Sequence, residues 1–123
     1  MANPNIAGLS NIYGKTVYDT DVLDLASSLV SNAASSGKIL KINSLTIANI
    51  DGTDSADITV TLRNAAGGTT HSTIAHTVAV PADSTLVVIS KDTSIYLEED
   101  MSLYVEASNA GDLSATCSYD EIS

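Results

Sequence analysis

The sequence predicts an all-β fold, and three observations support this. Apolar and polar residues alternate with a period of two, most clearly where Ala56, Ile58, Val60 and Leu62 are interleaved with polar neighbours. Turn-forming residues recur about every 8–12 positions. Val, Ile and Thr, which favour strands, fill the segments between the turns. With 123 residues, the chain has room for one hydrophobic core, so we expect a single antiparallel β-sandwich, either jelly-roll-like or immunoglobulin-like.

Eight or nine short strands are expected, separated by turns. The turn signals include Asp51-Gly52, the Gly67-Gly68 pair and the Pro81 segment, and each has residues that accept turn backbone angles. The strand candidates, in chain order, are residues 16–18, 38–50, 56–63, 69–80, 86–89, 95–97, 103–107 and 113–119. Residues 86–89 are predicted to be a fully apolar strand.

Two segments need separate treatment. Within residues 38–50, Leu40 and Ile42 share one parity and Leu45 and Ile47 the other, which predicts a β-bulge at Asn43-Ser44 that returns both pairs to one face. Residues 22–30 are ambiguous, because their apolar positions fit a helical spacing, whereas their serines favour a strand or a short irregular piece. A small polar loop is expected at residues 31–37.

The N-terminal residues 1–13 are predicted to form an extended arm, followed by a sandwich domain at 14–123. The arm is polar, contains Asn, Pro and Gly, and has little periodicity. A frayed terminus is one interpretation. The other is an arm that docks on a neighbouring subunit, for which the apolar anchors and the first strand supply the predicted interface residues: Ile6, Leu9, Ile12, Tyr13 and Tyr18.

The net charge of the chain limits the classes of partner that it is expected to bind. Fifteen acids against five bases give a formal net charge of −10. Nucleic-acid binding requires Lys and Arg to displace counterions from phosphates, and docking on anionic lipid has the same requirement, so neither partner is expected. A neutral, basic or apolar contact surface on another protein is favoured.

The N-terminus lacks the basic and apolar regions of a signal peptide, and no apolar run approaches the length of a membrane span. We therefore expect the chain to fold first inside a cell.

Cys117 is the single cysteine, which rules out an internal disulfide. Its alternation with Ala115 and Tyr119 predicts a buried thiol.

No pattern of residues predicts catalysis, a cofactor or a metal, so an enzyme is not expected. His71 and His76 would face opposite sides of one strand, as would the adjacent Glu98 and Glu99. The segment from Asp51 to Asp57 departs from the spacing of calcium-binding loops, so turn chemistry is the favoured interpretation.

Stretches over most of the chain resemble a class of small virion structural proteins of tailed phages, particularly marine cyanophages. These stretches are IYGKTVY (12–18), KILKINSLTIANI (38–50), ADITV (56–60), VPADSTLVVI (80–89), IYLEED (95–100) and CSYDEIS (117–123). The resemblance implies a β-sandwich assembled in many copies on the particle, as capsid decoration or in the neck or tail. Its implied partners are copies of itself and other phage structural proteins, with assembly in the host cytoplasm and a final location in the virion.

A carbohydrate-binding or adhesin-like sandwich that recognises a bacterial surface is the alternative function. Tyr96 and Tyr104 would be its sugar-stacking residues. The absence of Trp, the usual stacking residue, weighs against it.

Overall fold

The computed structural model describes residues 4–123, which form nine β-strands in two antiparallel sheets. Two short 3₁₀ turns, Ile6–Gly8 and Lys91–Thr93, are the helical elements of this part of the chain. The strands are β1 (Ile12–Asp19), β2 (Ser27–Asn32), β3 (Ile39–Asn49), β4 (Ala56–Asn64), β5 (Thr70–Val80), β6 (Thr85–Ile89), β7 (Ile95–Leu97), β8 (Met101–Ala107) and β9 (Leu113–Ile122). The predicted all-β sandwich is confirmed.

The strand order identifies the topology as a jelly roll. One sheet has the order β1-β9-β3-β6, with β7 also paired to β3, and the other has the order β2-β8-β4-β5. If β6 and β7 are taken as one interrupted strand, the first strand pairs with the last, the second with the next to last, and so on inward. Such a pattern is a long hairpin rolled into two sheets. An immunoglobulin fold would instead keep the first two strands in one sheet.

The core lies between the sheets and is aliphatic. Alternate residues of each strand point inward, as expected for a sheet with one wet face. The largest fully buried side chains are Ile42, Leu45, Ile47, Ile58, Ile89, Leu97, Leu103, Leu113, Val22, Val60, Val80 and Val105. Burying each of these side chains contributes about 1.5–3 kcal/mol relative to leaving it in water.

The bulge in β3 was predicted correctly. The pairing of β3 with β9 shifts register between Ile42 and Ser44. Because one extra residue is accommodated there, Ile42 and Leu45 both point into the core although they differ in parity.

The ambiguous residues 22–30 form no helix. Residues 20–26 are an irregular connection, and β2 begins at Ser27. Backbone hydrogen bonds from Val22 N to Leu113 O and from Ala107 N to Leu23 O fix the connection to β9 and β8. Val22 is thereby buried in the core, while Leu23 is exposed.

Several strand boundaries differ from the prediction, and β8 and β9 are each a few residues longer than expected. The loop expected at 31–37 begins later, because Ser31 and Asn32 continue β2. The buried Asn32 side chain donates to Lys38 O and Leu97 O, which places it beside β3 and β7. The apolar strand predicted at 86–89 is present as β6, an edge strand whose side chains alternate between exposed and inward positions, so Val87 is exposed.

The first strand is longer than expected. The sequence predicted residues 16–18, whereas β1 spans Ile12–Asp19. Of the segment 1–13 predicted as an arm, residues 1–3 lie outside the described part of the chain. Residues 4–11, here called the N-terminal segment, precede β1 and include the 3₁₀ turn.

Candidate functional site

The predicted interface residues lie in two places: Ile12, Tyr13 and Tyr18 on β1, the edge strand of the first sheet, and Ile6 and Leu9 on the N-terminal segment before it. Ile12 and Tyr18 are each 69% exposed, and Tyr13 is also exposed. Ile6 in the 3₁₀ turn is exposed, whereas Leu9 is partly buried. Because paired residues of antiparallel strands point to the same side, the partners in β9 place Ile12 and Tyr18 on the outer face of the sheet.

The N-terminal segment lies against the outer face of the first sheet. Backbone amides of Ser10 and Asn11 donate to Ser123 O, at the end of β9. Pro4, Asn5 and Ile6 line a cleft of about 560 Å³ whose other walls include Ile39 and Tyr96. Ile39 is only 7% exposed although it does not belong to the core between the sheets. We infer that the segment shields it from water.

A pair of salt bridges links β1 to the rest of the sheet. Lys15 Nζ lies 2.7 Å from Glu121 Oε2, and Lys38 Nζ lies 3.1 Å from Glu121 Oε1. The hydrogen bonds from Lys15 and then Lys38 lower the pKa of the Glu121 carboxyl, and the same carboxylate raises the pKa of Lys15. The contact joins β1, the start of β3 and the end of β9.

Sequence reasoning missed two exposed apolar residues beside this surface. Leu23 and Leu25 follow β1 in the irregular connection, and Leu25 is 72% exposed. The helical spacing within residues 22–30 puts Leu25 on the apolar side, whereas the alternative of a short irregular piece makes no prediction for it. Because Leu23 and Leu25 lie in an irregular connection, no periodicity in the sequence indicates their exposure.

Charge is segregated between the two ends of the sandwich. The acid-rich end, where β1, β3, β5 and β8 finish, carries nine acids and no Lys or Arg: Asp19, Asp21, Asp24, Asp51, Asp54, Asp57, Asp83, Glu106 and Asp112. The near-neutral end carries five acids against four bases, namely Glu98, Glu99, Asp100, Asp120 and Glu121 with Lys15, Lys38, Lys41 and Arg63. Lys91 and Asp92 cancel between them, so nearly all of the net charge of −10 lies at one end.

Two acids of the acid-rich end hydrogen-bond to loop backbone. Asp51 Oδ1 accepts from Thr53 N, which agrees with the turn chemistry predicted for residues 51–57. Asp21 Oδ1 accepts from Gly111 N and so joins two loops that are distant in sequence. A cavity of about 280 Å³ is lined by Asp24, Asp57 and Glu106 together with neutral residues. Within residues 4–123, no group of three or more His, Cys, Asp or Glu side chains is close enough to hold a metal ion.

The remaining titratable candidates do not form a common site. His71 and His76 are both exposed, and His71 is hydrogen-bonded to Asn64 Oδ1. Glu98 and Glu99 follow β7 in a turn rather than within a strand, so the expected strand alternation does not apply to them. Glu99 Oε2 accepts from Gly37 N at 2.7 Å, which ties two loops of the near-neutral end together.

Cys117 is fully buried in the core, as predicted. Burial raises the pKa of its thiol to about 12. The thiolate is the reactive form of cysteine, so this side chain is inert in the folded chain.

The two tyrosines of the carbohydrate-binding alternative have different surroundings. The guanidinium of Arg63 lies 4.8 Å from the ring centroid of Tyr104, so a cation–π contact already occupies one face of that ring. Tyr96 remains exposed beside the cleft of the N-terminal segment. The two therefore do not form a pair of open stacking faces.

In the described residues, no helix has the length and apolarity that crossing a membrane requires.

Comparison with known proteins shows similarity of fold. No protein-family model matches the chain, and no curated protein sequence matches it. A solved structure of Bacillus endospore appendages, described as disulfide-linked pili, is similar with a TM-score of 0.52 and 15% identity, over 100% of this chain and 94% of that one. A chain from the structure of infectious bursal disease virus, Gx strain, is similar with a TM-score of 0.52 and 13% identity, over 91% of this chain and 32% of that one.

Proposed function

We propose that the chain is a non-enzymatic structural subunit of a tailed-phage particle. It assembles in several copies, as capsid decoration or in the neck or tail, and contacts its neighbours through residues 1–18. The resemblance of its sequence stretches to phage virion proteins supports a location on a phage particle. The jelly roll supports it as well, because viral capsid proteins commonly use this fold, although lectins and cupins use it too.

The observation that carries the proposal is the uneven distribution of exposed apolar side chains. Ten large hydrophobic residues of the described chain are exposed, and six of them lie between residues 6 and 25: Ile6, Ile12, Tyr13, Tyr18, Leu23 and Leu25. Single exposed apolar residues need no explanation, but a group of them is typical of a protein–protein interface, and Ile12, Tyr13 and Tyr18 stand together on the edge strand β1. Tyrosines are also enriched at such interfaces.

Assembly through this surface is noncovalent. The similar endospore appendages are described as disulfide-linked. Here the single cysteine, Cys117, is buried in the core and cannot reach another chain while the sandwich is folded. Contacts between copies must therefore come from apolar packing, hydrogen bonds and charges.

Two experiments test the proposal. In the phage that encodes the chain, immunogold labelling and mass spectrometry of purified particles should detect it as a stoichiometric component. A chain lacking residues 1–11 retains all of β1 and should still fold, judged by circular dichroism, yet be depleted from particles. Absence of the full-length chain from particles would refute the structural role.

A matched pair of point variants refines the second experiment. Tyr18→Ser removes an exposed ring from β1, and Val87→Ser removes an exposed apolar side chain from the opposite edge of the same sheet. Tyr18→Ser should weaken incorporation into particles and Val87→Ser should leave it unchanged. Equal incorporation of both variants and of the shortened chain would show that residues 1–18 are not the attachment surface.

A further inference from the structure

The strand β1 is an open sheet edge with an uninterrupted ladder. It pairs with β9 from Ile12 to Asp19 without a register shift, and no strand within residues 4–123 lies on its other side. Alternate backbone N–H and C=O groups along its outer edge are therefore available to another strand. It contains no proline, and its one lysine, Lys15, is neutralised by Glu121.

The other three edges of the described sandwich are irregular. The pairing of β5 with β4 shifts register at three places, and Thr77 in β5 has a φ of 47°. The pairing of β2 with β8 shifts between Ser28 and Val30. The edge formed by β6 and β7 is broken by the 3₁₀ turn Lys91–Thr93. Bulges and interruptions of this kind block edge-to-edge pairing, which leaves β1 as the regular edge.

We propose that β1 pairs antiparallel with β1 of a second copy, about a two-fold axis at Thr16, so that the first sheet continues across a dimer. This inference deepens the proposed assembly surface and rests on it. In a continuous sheet, the core-facing side chains of both copies must lie on the same side. Directly opposed residues of antiparallel strands point to the same side, so each residue of β1 must oppose a residue of its own parity. The two-fold axis therefore passes midway between two copies of one residue, not between two different residues.

The side chains of β1 select the register. The two longest ladders are centred on Lys15 or on Thr16. The first sets two lysines directly opposite each other, which is unfavourable. The second opposes Thr16 to Thr16, and places Tyr18 of each copy across from Gly14 of the other. A side-chain carbon at Gly14 would meet only Asp120 Oδ1, at 4.0 Å, so there is space for a tyrosine ring over this glycine.

The charge distribution independently selects the antiparallel arrangement. Parallel association would set two acid-rich ends side by side. Antiparallel pairing of β1 instead places the acid-rich end of each copy beside the near-neutral end of the other, which separates the nine acids of one copy from those of its partner. In this register Lys15 lies diagonal to both Asp19 and Lys15 of the second copy, so these two charge contacts offset each other.

Sedimentation velocity over a concentration series tests the dimer. The full chain should change from its 12.7 kDa mass to twice that mass. Thr16→Lys brings two ammonium groups together at the axis and should raise the dissociation constant about tenfold or more. Thr85→Lys makes the same change on the outer face of the opposite edge strand and should leave the constant unchanged. A chain that stays monomeric to about millimolar concentration, or one that responds equally to both variants, would overturn the proposal.

Cysteine crosslinking tests the register without relying on altered affinity. Thr16→Cys places two Cα atoms about 4.5–5.5 Å apart across the ladder, within the range that a disulfide spans, and should give a reducible dimer under a glutathione redox buffer. Tyr18→Cys lies away from the axis and should remain uncrosslinked. Crosslinking of Tyr18→Cys but not Thr16→Cys would overturn the register. A dimer that passes these tests but is missing from phage particles would contradict the proposed function alone.

Discussion

At the scale of single residues, Glu121 is the polar contact that secures the edge strand. Its side chain is 14% exposed and its two carboxylate oxygens bind different lysines, from β1 and from the loop before β3. The backbone ladder between β1 and β9 would persist without it. The ion pairs add a connection to β3 that the ladder does not supply.

We predict that Glu121→Gln lowers the urea midpoint of unfolding near pH 7, and that the difference from wild type depends on pH. The pKa of Glu121 is lowered from 4.5 in the folded chain, so its contribution is present above that value and is lost as the pH falls through the lower folded value. The pKa of Lys15 is raised from 10.5, so its contribution is complete below that value and is lost as the pH rises through the higher folded value. Urea titrations across this range measure both limits.

Glu106→Gln is the matched control. Glu106 lies at the acid-rich end, where no Lys or Arg is placed, so its neutralisation should leave the midpoint unchanged or raise it. A Glu121→Gln deficit that does not shrink as the pH is lowered from 7 until the chain unfolds would show that packing, rather than the ion pairs, accounts for it.

At the scale of strands and their connections, the buried side chains of Asn32 and Asn49 hydrogen-bond to the backbone of neighbouring strands and loops. Asn49 finishes β3 with its side chain inside the acid-rich end, where Nδ2 donates to Asp54 O at 3.0 Å and to Val80 O at 2.8 Å. Its Oδ1 accepts from Asp51 N at 2.9 Å. One side chain therefore satisfies three backbone groups, from the loop between β3 and β4 and from the end of β5.

We predict that Asn49→Ala lowers the free energy of unfolding by about 2–4 kcal/mol, because it leaves several buried backbone groups unpaired. Asn49→Asp keeps the shape but turns a carboxylate oxygen toward two carbonyl oxygens, so it should be at least as destabilising at pH 7 and recover partly at low pH, when the protonated acid donates one bond. Asn109→Ala, in an exposed loop, should stay within about 0.5 kcal/mol of wild type. Urea unfolding of the three variants measures these differences. A mild effect of Asn49→Ala would mean that water replaces the amide.

The elements that the sequence predicted best are those whose signal is local. Alternation located β4, and the parity change at Asn43 located the bulge in β3, because each depends on residues a few positions apart. The choice between a jelly roll and an immunoglobulin fold depends on which distant strand pairs with which, and β1 meets β9 about a hundred residues away. Alternation did not reveal this pairing.

The candidate interface also has features that could be predicted from the sequence and features that could not. The apolar character of Ile12, Tyr13 and Tyr18 could be read from the sequence, and their role as contacts stays a prediction. That they stand on an unbroken edge could not be foreseen, because only the pairing of all nine strands shows which strands are left at the edges. Asn49 was within reach of sequence reasoning, since it shares the inward parity of Leu45 and Ile47.

At the scale of the whole molecule, the acid-rich end opposes folding of the isolated chain. Its nine acids face one another without a base, so their mutual repulsion is relieved when the chain unfolds. The fold tolerates this because none of the nine acids is fully buried, so water and salt screen their charges. The same repulsion favours assemblies in which acid-rich ends are kept apart, as in the antiparallel dimer.

We therefore predict that salt stabilises the monomer. Raising NaCl from about 0.01 M to 0.15 M shortens the screening length from about 30 Å to about 8 Å, so the free energy of unfolding should rise by about 1 kcal/mol. The double variant Asp24→Asn/Asp54→Asn removes two charges from the acid-rich end and should be more stable at low salt and less responsive to added salt. Asp120→Asn, beside Lys41 at the near-neutral end, should show no such gain. Urea titrations in the two salts, at protein concentrations where sedimentation shows a monomer, measure these effects. Equal salt responses in all three chains would mean that the segregation of charge has no influence on stability.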